Sequence, residues 1–226
     1  MTETEFIPQT IALIGGTGNL GPGLALRWAM AGHMVFIGSR TSDKAEEVAA
    51  ELNDTLGDSR IVGLDNASAV QRADICVLTV VQSAHDPAIE SLKEELQGKI
   101  LIDATARTSF PDLTPPAPPS AARTAQNILG EGVRVTAAFQ NVAASALKKN
   151  LGEELNSDVI VCADDLDAAQ IVISLSKDAG MQAYFAGDLD KAIVVEGFTS
   201  LVISMNKFYK VHAGTIKVAG IPKSKT

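Results

Sequence analysis

The residues best suited to chemistry lie near the start of the chain. Gly16-Thr17-Gly18-Asn19-Leu20-Gly21 follows the short apolar run Thr10–Gly15 (TIALIG) and opens a helix-like segment. In that context the GxGxxG spacing is a phosphate cradle. The first glycine permits a tight turn and the second lets the backbone approach a pyrophosphate. The third lets the helix pack closely against the strand. Free N–H groups and the helix dipole then attract the anion. Gly16, Thr17, Gly18, Asn19 and Leu20 are expected to hold a dinucleotide.

The end of the second strand decides which dinucleotide. An NAD site places Asp or Glu there to bind the adenine ribose. This chain reads Gly38-Ser39-Arg40-Thr41-Ser42-Asp43-Lys44. Ser39 offers a hydroxyl, Arg40 a planar fork for phosphate oxygens, and Lys44 a second positive charge one helical turn on. Asp43 is expected to cap the helix that begins beside it. The pattern asks for NADP. Thr79-Val80-Val81-Gln82 closes a later strand, and in this topology Thr79 and Val80 would lie under the nicotinamide. The same pattern fits a plain core strand end equally well.

Acid–base and hydrolytic sites are hard to assemble from what remains. His33 follows the first helix, and His212 sits among lysines. His85 has the one plausible catalytic address, near the expected cleft. It is expected to face water, and its replacement to leave turnover nearly unchanged. There is no GxSxG and no CxxC, and no metal site is expected. Cys76 and Cys162 lie in apolar stretches and read as core residues in a reducing compartment. Reduction of a simple carbonyl needs a proton donor. Hydride transfer to a conjugated ring needs mainly proximity and orientation. No catalytic side chain is therefore assigned.

The elements that must position these residues alternate along the chain. Strands are expected at Thr10–Gly15, Met34–Gly38, Ile61–Leu64, Ile75–Val81, Ile100–Ala104, Arg134–Phe139, Asp158–Ala163 and Gln182–Ala186. Helices are expected at Leu20–Ala31, Asp43–Leu56, Pro87–Leu96, Ser120–Leu129, Leu166–Asp178 and Asp190–Tyr209. Apolar spacing separates the two classes. The result is an α/β fold, a doubly wound parallel sheet with helices on both faces. Pro111–Pro119 holds five of the nine prolines and forms a polyproline-like connection. A boundary near Gln140 divides residues 1–140, the dinucleotide-binding domain, from a small α+β domain, 141–226.

Several stretches resemble the NADPH-dependent F420 reductases (F420H2:NADP oxidoreductases). They are GGTGNLGPGLALRWAMAGH with GSRTSDKAEE, then AAFQNVAASAL, DVIVCADD and EGFTSLVISMNKFYKVHAGTIKVAGI. The resemblance implies a Rossmann domain with a small C-terminal domain, a homodimer, and hydride transfer between NADP and the deazaflavin coenzyme F420. It places Thr17, Gly18, Asn19 and Leu20 on the pyrophosphate, and Ser39, Arg40 and Lys44 on the 2′-phosphate. It also places Gln140, Asn141, Val142 and Ala144 against the deazaflavin, with Met205 and Asn206 walling the ring. Some members carry His at the position of Gln140. Asp103–Ser120 has the least family character and should border the cleft.

Other readings make different demands. An NADP-dependent imine reductase of the pyrroline-carboxylate type needs a longer all-helical C-terminal domain, whereas two strands are expected after Gln140. A metalloreductase-like domain would accept flavin or ferric substrates. A non-catalytic NADP sensor would bind NADP without a hydride acceptor. At net charge −8 the chain is a poor nucleic-acid binder. Lys207, Lys210, Lys217, Lys223 and Lys225 lie in an acid-free C-terminal stretch that could attract the anionic tail of F420. With no apolar run of membrane-spanning length and an acidic leader (MTETE), the chain is expected in the cytoplasm, without membrane partners.

Overall fold

The computed structural model describes residues 6–109 and 111–221; Lys223, Lys225 and the acidic leader lie outside them. Eight strands form one sheet: β1 (Thr10–Ile14), β2 (Met34–Ser39), β3 (Ile61–Asp65), β4 (Ile75–Leu78), β5 (Ile100–Asp103), β6 (Arg134–Ala137), β7 (Asp158–Ala163) and β8 (Gln182–Gly187). Their spatial order is β3-β2-β1-β4-β5-β6-β7-β8. The strands from β3 across to β6 all pair in parallel, and β7 joins β6 antiparallel. β8 then pairs with β7 in parallel, so the strands after Gln140 extend the same sheet.

The helices are α1 (Gly21–Met30), α2 (Ser42–Leu56), α3 (Asn66–Gln71), α4 (His85–Ser91), α5 (Ala121–Leu129), α6 (Ala144–Leu147), α7 (Leu166–Asp178) and α8 (Ala192–Tyr209). Single 3-10 turns, Gln82–Ala84 and Leu189–Lys191, precede α4 and α8. Both faces of the sheet are covered. One core joins Leu13, Ile37, Val77 and Ile102 to α1, α2 and α7 through Leu24, Trp28, Leu52, Val172 and Leu175. The other joins Ile14, Leu78 and Leu101 to Val70, Ile89, Ala125 and Val195. Strands buried on both faces read as continuous apolar runs, which is how TIALI and ICVL are written. Cys76 and Cys162 are buried thiols whose pKa burial pushes up to about 12 and about 11.

Several element ends differ from the sequence reading. β4 stops at Leu78 because its neighbours stop there too: Leu78 pairs with Ile14 and with Asp103, the last residues of β1 and β5. α4 begins at His85, so Pro87 occupies the first turn, where no backbone N–H is needed. It ends at Ser91, and Leu92 and Leu96 reach the core from the irregular turns beyond. α2 starts at Ser42, so Asp43 lies within its first turn and does not cap it. The short helices α3 and α6 escaped periodicity altogether.

Arg27, in the apolar helix α1, is buried and donates to the carbonyls of Leu147, Lys149, Asn150, Glu153 and Ala179. Trp28 Nε1 donates to Leu175 O at 2.8 Å. These two neighbours fasten the chain after β6 to the helix that follows the glycine loop.

Candidate active site

The strand order reverses direction between β1 and β4, and at such a switch point the carboxyl ends of the strands open a crevice. The glycine loop lies on one side of it. Gly21 is required by packing, since a Cβ there would sit 2.2 Å from Gly16 O. Gly18 is different: a Cβ would meet no protein atom closer than Gly15 O at 3.7 Å. Its missing side chain leaves room above the loop that the fold does not fill. The N–H groups of Thr17, Asn19 and Leu20 have no acceptor among the described residues. An open cradle of unpaired donors at the N-terminus of a ten-residue helix fits a pyrophosphate.

Ser39 closes β2, and Arg40 and Lys44 are exposed at and just beyond its end. Neither cation belongs to an ion pair among the described residues. Asp65 stands beside Ser39 in the β2–β3 register. Its carboxylate is turned to cap α3, accepting from the Ser68 N–H and hydroxyl. These bonds hold its pKa below the ordinary value. Asn66 Oδ1 accepts the Gly15 N–H at 3.1 Å and so steadies the loop from α3. The donor set fits the 2′-phosphate of NADP.

Beyond the loop, Thr79 donates through both N–H and Oγ1 to Ile14 O, and Val80 packs over Gly15. The next residues line a cavity of about 530 Å³, with Val81, Gln82 and Ser83 on one wall and Ala106 and Thr108 on the other. Val81 is 70% exposed into this region, an apolar surface on which a flat ring could lie.

His85 corrects the sequence reading. It is 4% exposed, donating from Nε2 to Asp103 Oδ2 at 2.7 Å and from Nδ1 to Asp86 Oδ1 at 2.5 Å. Burial works against its charge, but Asp103 and Asp86 outweigh burial and raise its pKa to about 9. Asp103 itself is fully buried, and its Oδ1 accepts the Thr105 N–H at 2.9 Å. Nothing local to His85 in the sequence announces a partner eighteen positions away on the next strand.

Past β6, Phe139 takes a left-handed φ of 73° while its ring packs edge-on against Trp28. That conformation costs a bulky residue on the order of 1–3 kcal/mol. It swings Gln140, Asn141 and Val142 back over the carboxyl edge. Gln140 Nε2 donates to Asp103 O at 2.8 Å, and Gln140 O accepts the Thr199 hydroxyl of α8 at 2.9 Å. Asn141 Nδ2 donates to Asp158 O. The remaining amide oxygens, Gln140 Oε1 and Asn141 Oδ1, are buried without a partner among the described residues. Val142 is buried, and Ala144 opens α6, whose Leu147 lies against Gly23 of α1. Met205 is exposed on the outer end of α8, and Asn206 Oδ1 accepts the Gly214 N–H in the turn that follows. Lys217 is paired with the buried Asp158 at 2.7 Å, which corrects its reading as an attractor for an anionic tail.

Sequence reasoning also passed over Arg107 and Glu196. Arg107 Nε donates to Glu196 Oε2 at 2.8 Å and Nη2 to Ala117 O, strapping the proline-rich segment to α8. Glu196 is fully buried, and burial raises its pKa even against the pull of Arg107. A single acid in the apolar run IVVEGFTSL was the available signal.

Comparison with known proteins identifies the family. Residues 10–107 match the family model described as NADP oxidoreductase coenzyme F420-dependent. The F420-dependent NADP reductase of Methanothermobacter thermautotrophicus is 36% identical over 225 residues, covering 94% of this chain and 96% of that protein. Its namesake in Methanocaldococcus jannaschii is 36% identical over 222 residues, covering 93% and 98%. Among solved structures, a candidate F420-dependent NADP-reductase from Arthrobacter sp. FB24 superposes with a TM-score of 0.79 at 24% identity, covering 94% of this chain and 100% of that one. A pyrroline-5-carboxylate reductase from Coxiella burnetii shares the fold at a TM-score of 0.59 and 17% identity, covering 90% of this chain and 71% of that one. With more than a third of its residues shared along nearly its whole length, the chain belongs to the F420-dependent NADP reductase family.

Proposed function

We propose that the protein transfers a hydride directly between NADP(H) and coenzyme F420. The observation that carries this reading is the full-length match to reductases named for both substrates, 36% identical over 94% of the chain. When both are bound, the two rings would supply the hydride donor and the hydride acceptor, in either direction. The protein's own part is binding and alignment. The loop from Gly16 to Leu20 holds the pyrophosphate through the unpaired N–H groups of Thr17, Asn19 and Leu20, with Gly16 and Gly18 shaping the turn, and Ser39, Arg40 and Lys44 hold the 2′-phosphate. Thr79 and Val80 form the floor beneath the nicotinamide. Gln140, Asn141, Val142 and Ala144 form the acceptor wall, with Met205 and Asn206 on α8 beyond it. No covalent step is required, and catalysis rests on proximity and exclusion of water.

In this scheme residues 1–140 bind NADP and residues 141–226 complete the acceptor side. The working unit is a homodimer, which the exposed apolar face of α8 supports, with Leu201, Met205 and Phe208 at helical spacing. Small-molecule substrates, buried reduced thiols and a net charge of −8 favour a cytoplasmic enzyme without nucleic-acid partners. Among the described residues no helix is long and apolar enough to cross a membrane. The imine-reductase alternative rests on shared fold alone. The test is NADPH oxidation with oxidised F420, set beside a cyclic imine as acceptor. F420 alone should support turnover, and activity with the imine alone would reverse the assignment.

A further inference from the structure

His85 and Asp103 form a buried charged pair at the cleft that the hydride-transfer scheme leaves unused. Both ring nitrogens of His85 face carboxylate oxygens, which only accept hydrogen bonds, so both must donate. One acceptor, Asp86, is exposed on the same helix, and the other, Asp103, is buried at the end of β5. Behind Asp103 stands Glu196 of α8 with its own partner Arg107, and Arg123 of the neighbouring helix α5 is engaged by Asp164 and Asp190.

The position of this pair gives it a role. His85 directly follows Val81 to Ala84, whose first three residues form one wall of the 530 Å³ cavity. Asp103 directly precedes residues 104–108, of which Ala106 and Thr108 supply the other wall. The 2.7 Å bond between them therefore ties the two walls together at their roots. Asp103 passes the constraint on, since its Oδ1 orients Thr105 and its carbonyl holds Gln140.

We propose that His85 is a positioning residue for hydride transfer: by donating to Asp86 and Asp103 together, it fixes the separation of the β4 and β5 loops and so the width of the cavity where the two rings meet. This rests on the reading of the reaction given above. Reacting carbons must approach to about 3–3.5 Å, and a misplacement of roughly 1 Å can cost on the order of a hundredfold in rate.

The test compares wild type with His85→Ala and His85→Gln. In H85A, the single-turnover rate of F420 reduction by NADPH should fall at least about tenfold. The Kd for NADPH should change less than about twofold, because the phosphate contacts lie elsewhere. Glutamine can still donate to Asp103, so H85Q should recover part of the rate. Hydrogen–deuterium exchange of the NADPH-bound proteins should quicken at residues 79–84 and 104–108 in H85A and little elsewhere.

A wild-type rate in H85A would overturn the proposal, as would a slowed rate with unchanged exchange in both loops. Should H85A not fold, H85Q carries the comparison, with an intermediate rate and intermediate exchange expected. A wild-type protein that binds NADPH but leaves F420 oxidised would contradict only the choice of acceptor. The exchange comparison then still decides whether His85 sets the walls.

Discussion

At the scale of single residues, Arg40 is an exposed cation just past β2, and His85 lies buried between Asp86 and Asp103. The signal at Arg40 is local: a cation ends the second strand where an NAD enzyme would place an acid. Arg40→Ala should raise the KM for NADPH by about ten- to a hundredfold, the loss of charge-assisted bonds worth roughly 1.5–3 kcal/mol. The KM for NADH should scarcely move, and steady-state kinetics with both coenzymes checks this; equal losses would remove the 2′-phosphate assignment. His85 was illegible because its environment comes from Asp103, brought beside it only by the β4–β5 pairing. With its pKa raised to about 9, folding favours the protonated ring. The stabilisation, about 3 kcal/mol, is full below an unfolded pKa near 6.5 and is lost as pH rises through about 9. Urea melts from pH 6 to pH 10 should show that decline in wild type and a flatter profile in H85Q.

At the scale of elements, long periodic segments were read well, and short or capped ones were not. Leu166–Asp178 and Asp158–Ala163 match their expected bounds, since a long amphipathic helix and a buried apolar strand announce themselves. α3 has six residues and α6 four, too few for a period to emerge. Asp65 three places before Ser68, a capping pair, was the signal for α3. The proline-rich segment was rightly denied regular structure, but its attachment depends on a tertiary pair, Arg107 with Glu196. That pair should respond asymmetrically. Arg107→Ala strands a buried carboxylate and should cost about 3 kcal/mol. Glu196→Gln removes a charge that burial already disfavours and keeps an acceptor for the Ala121 N–H, so it should cost less than about 1 kcal/mol. Thermal melts of the two variants measure the contrast directly.

At the scale of the whole molecule, one sheet carries both halves of the chain, and α8 exposes an apolar face. Phe208, 79% exposed, lies on that surface with Leu201 and Met205. If a second copy covers it, Leu201→Asp with Phe208→Asp should convert a dimer to a monomer in light scattering while Arg40-dependent NADPH binding persists. A protein that is monomeric before substitution would remove the dimer from the account. The pairing of NADP with a deazaflavin remains the central claim. The most direct measurement mixes purified protein with NADPH and oxidised F420 and follows the deazaflavin's visible band, with NADH, FMN and riboflavin as parallel controls. The expected result is rapid bleaching with NADPH and F420 together and no comparable change in any control. Intact colour in the presence of bound NADPH would contradict the claim and turn attention to another acceptor for the cavity between Val81 and Thr108.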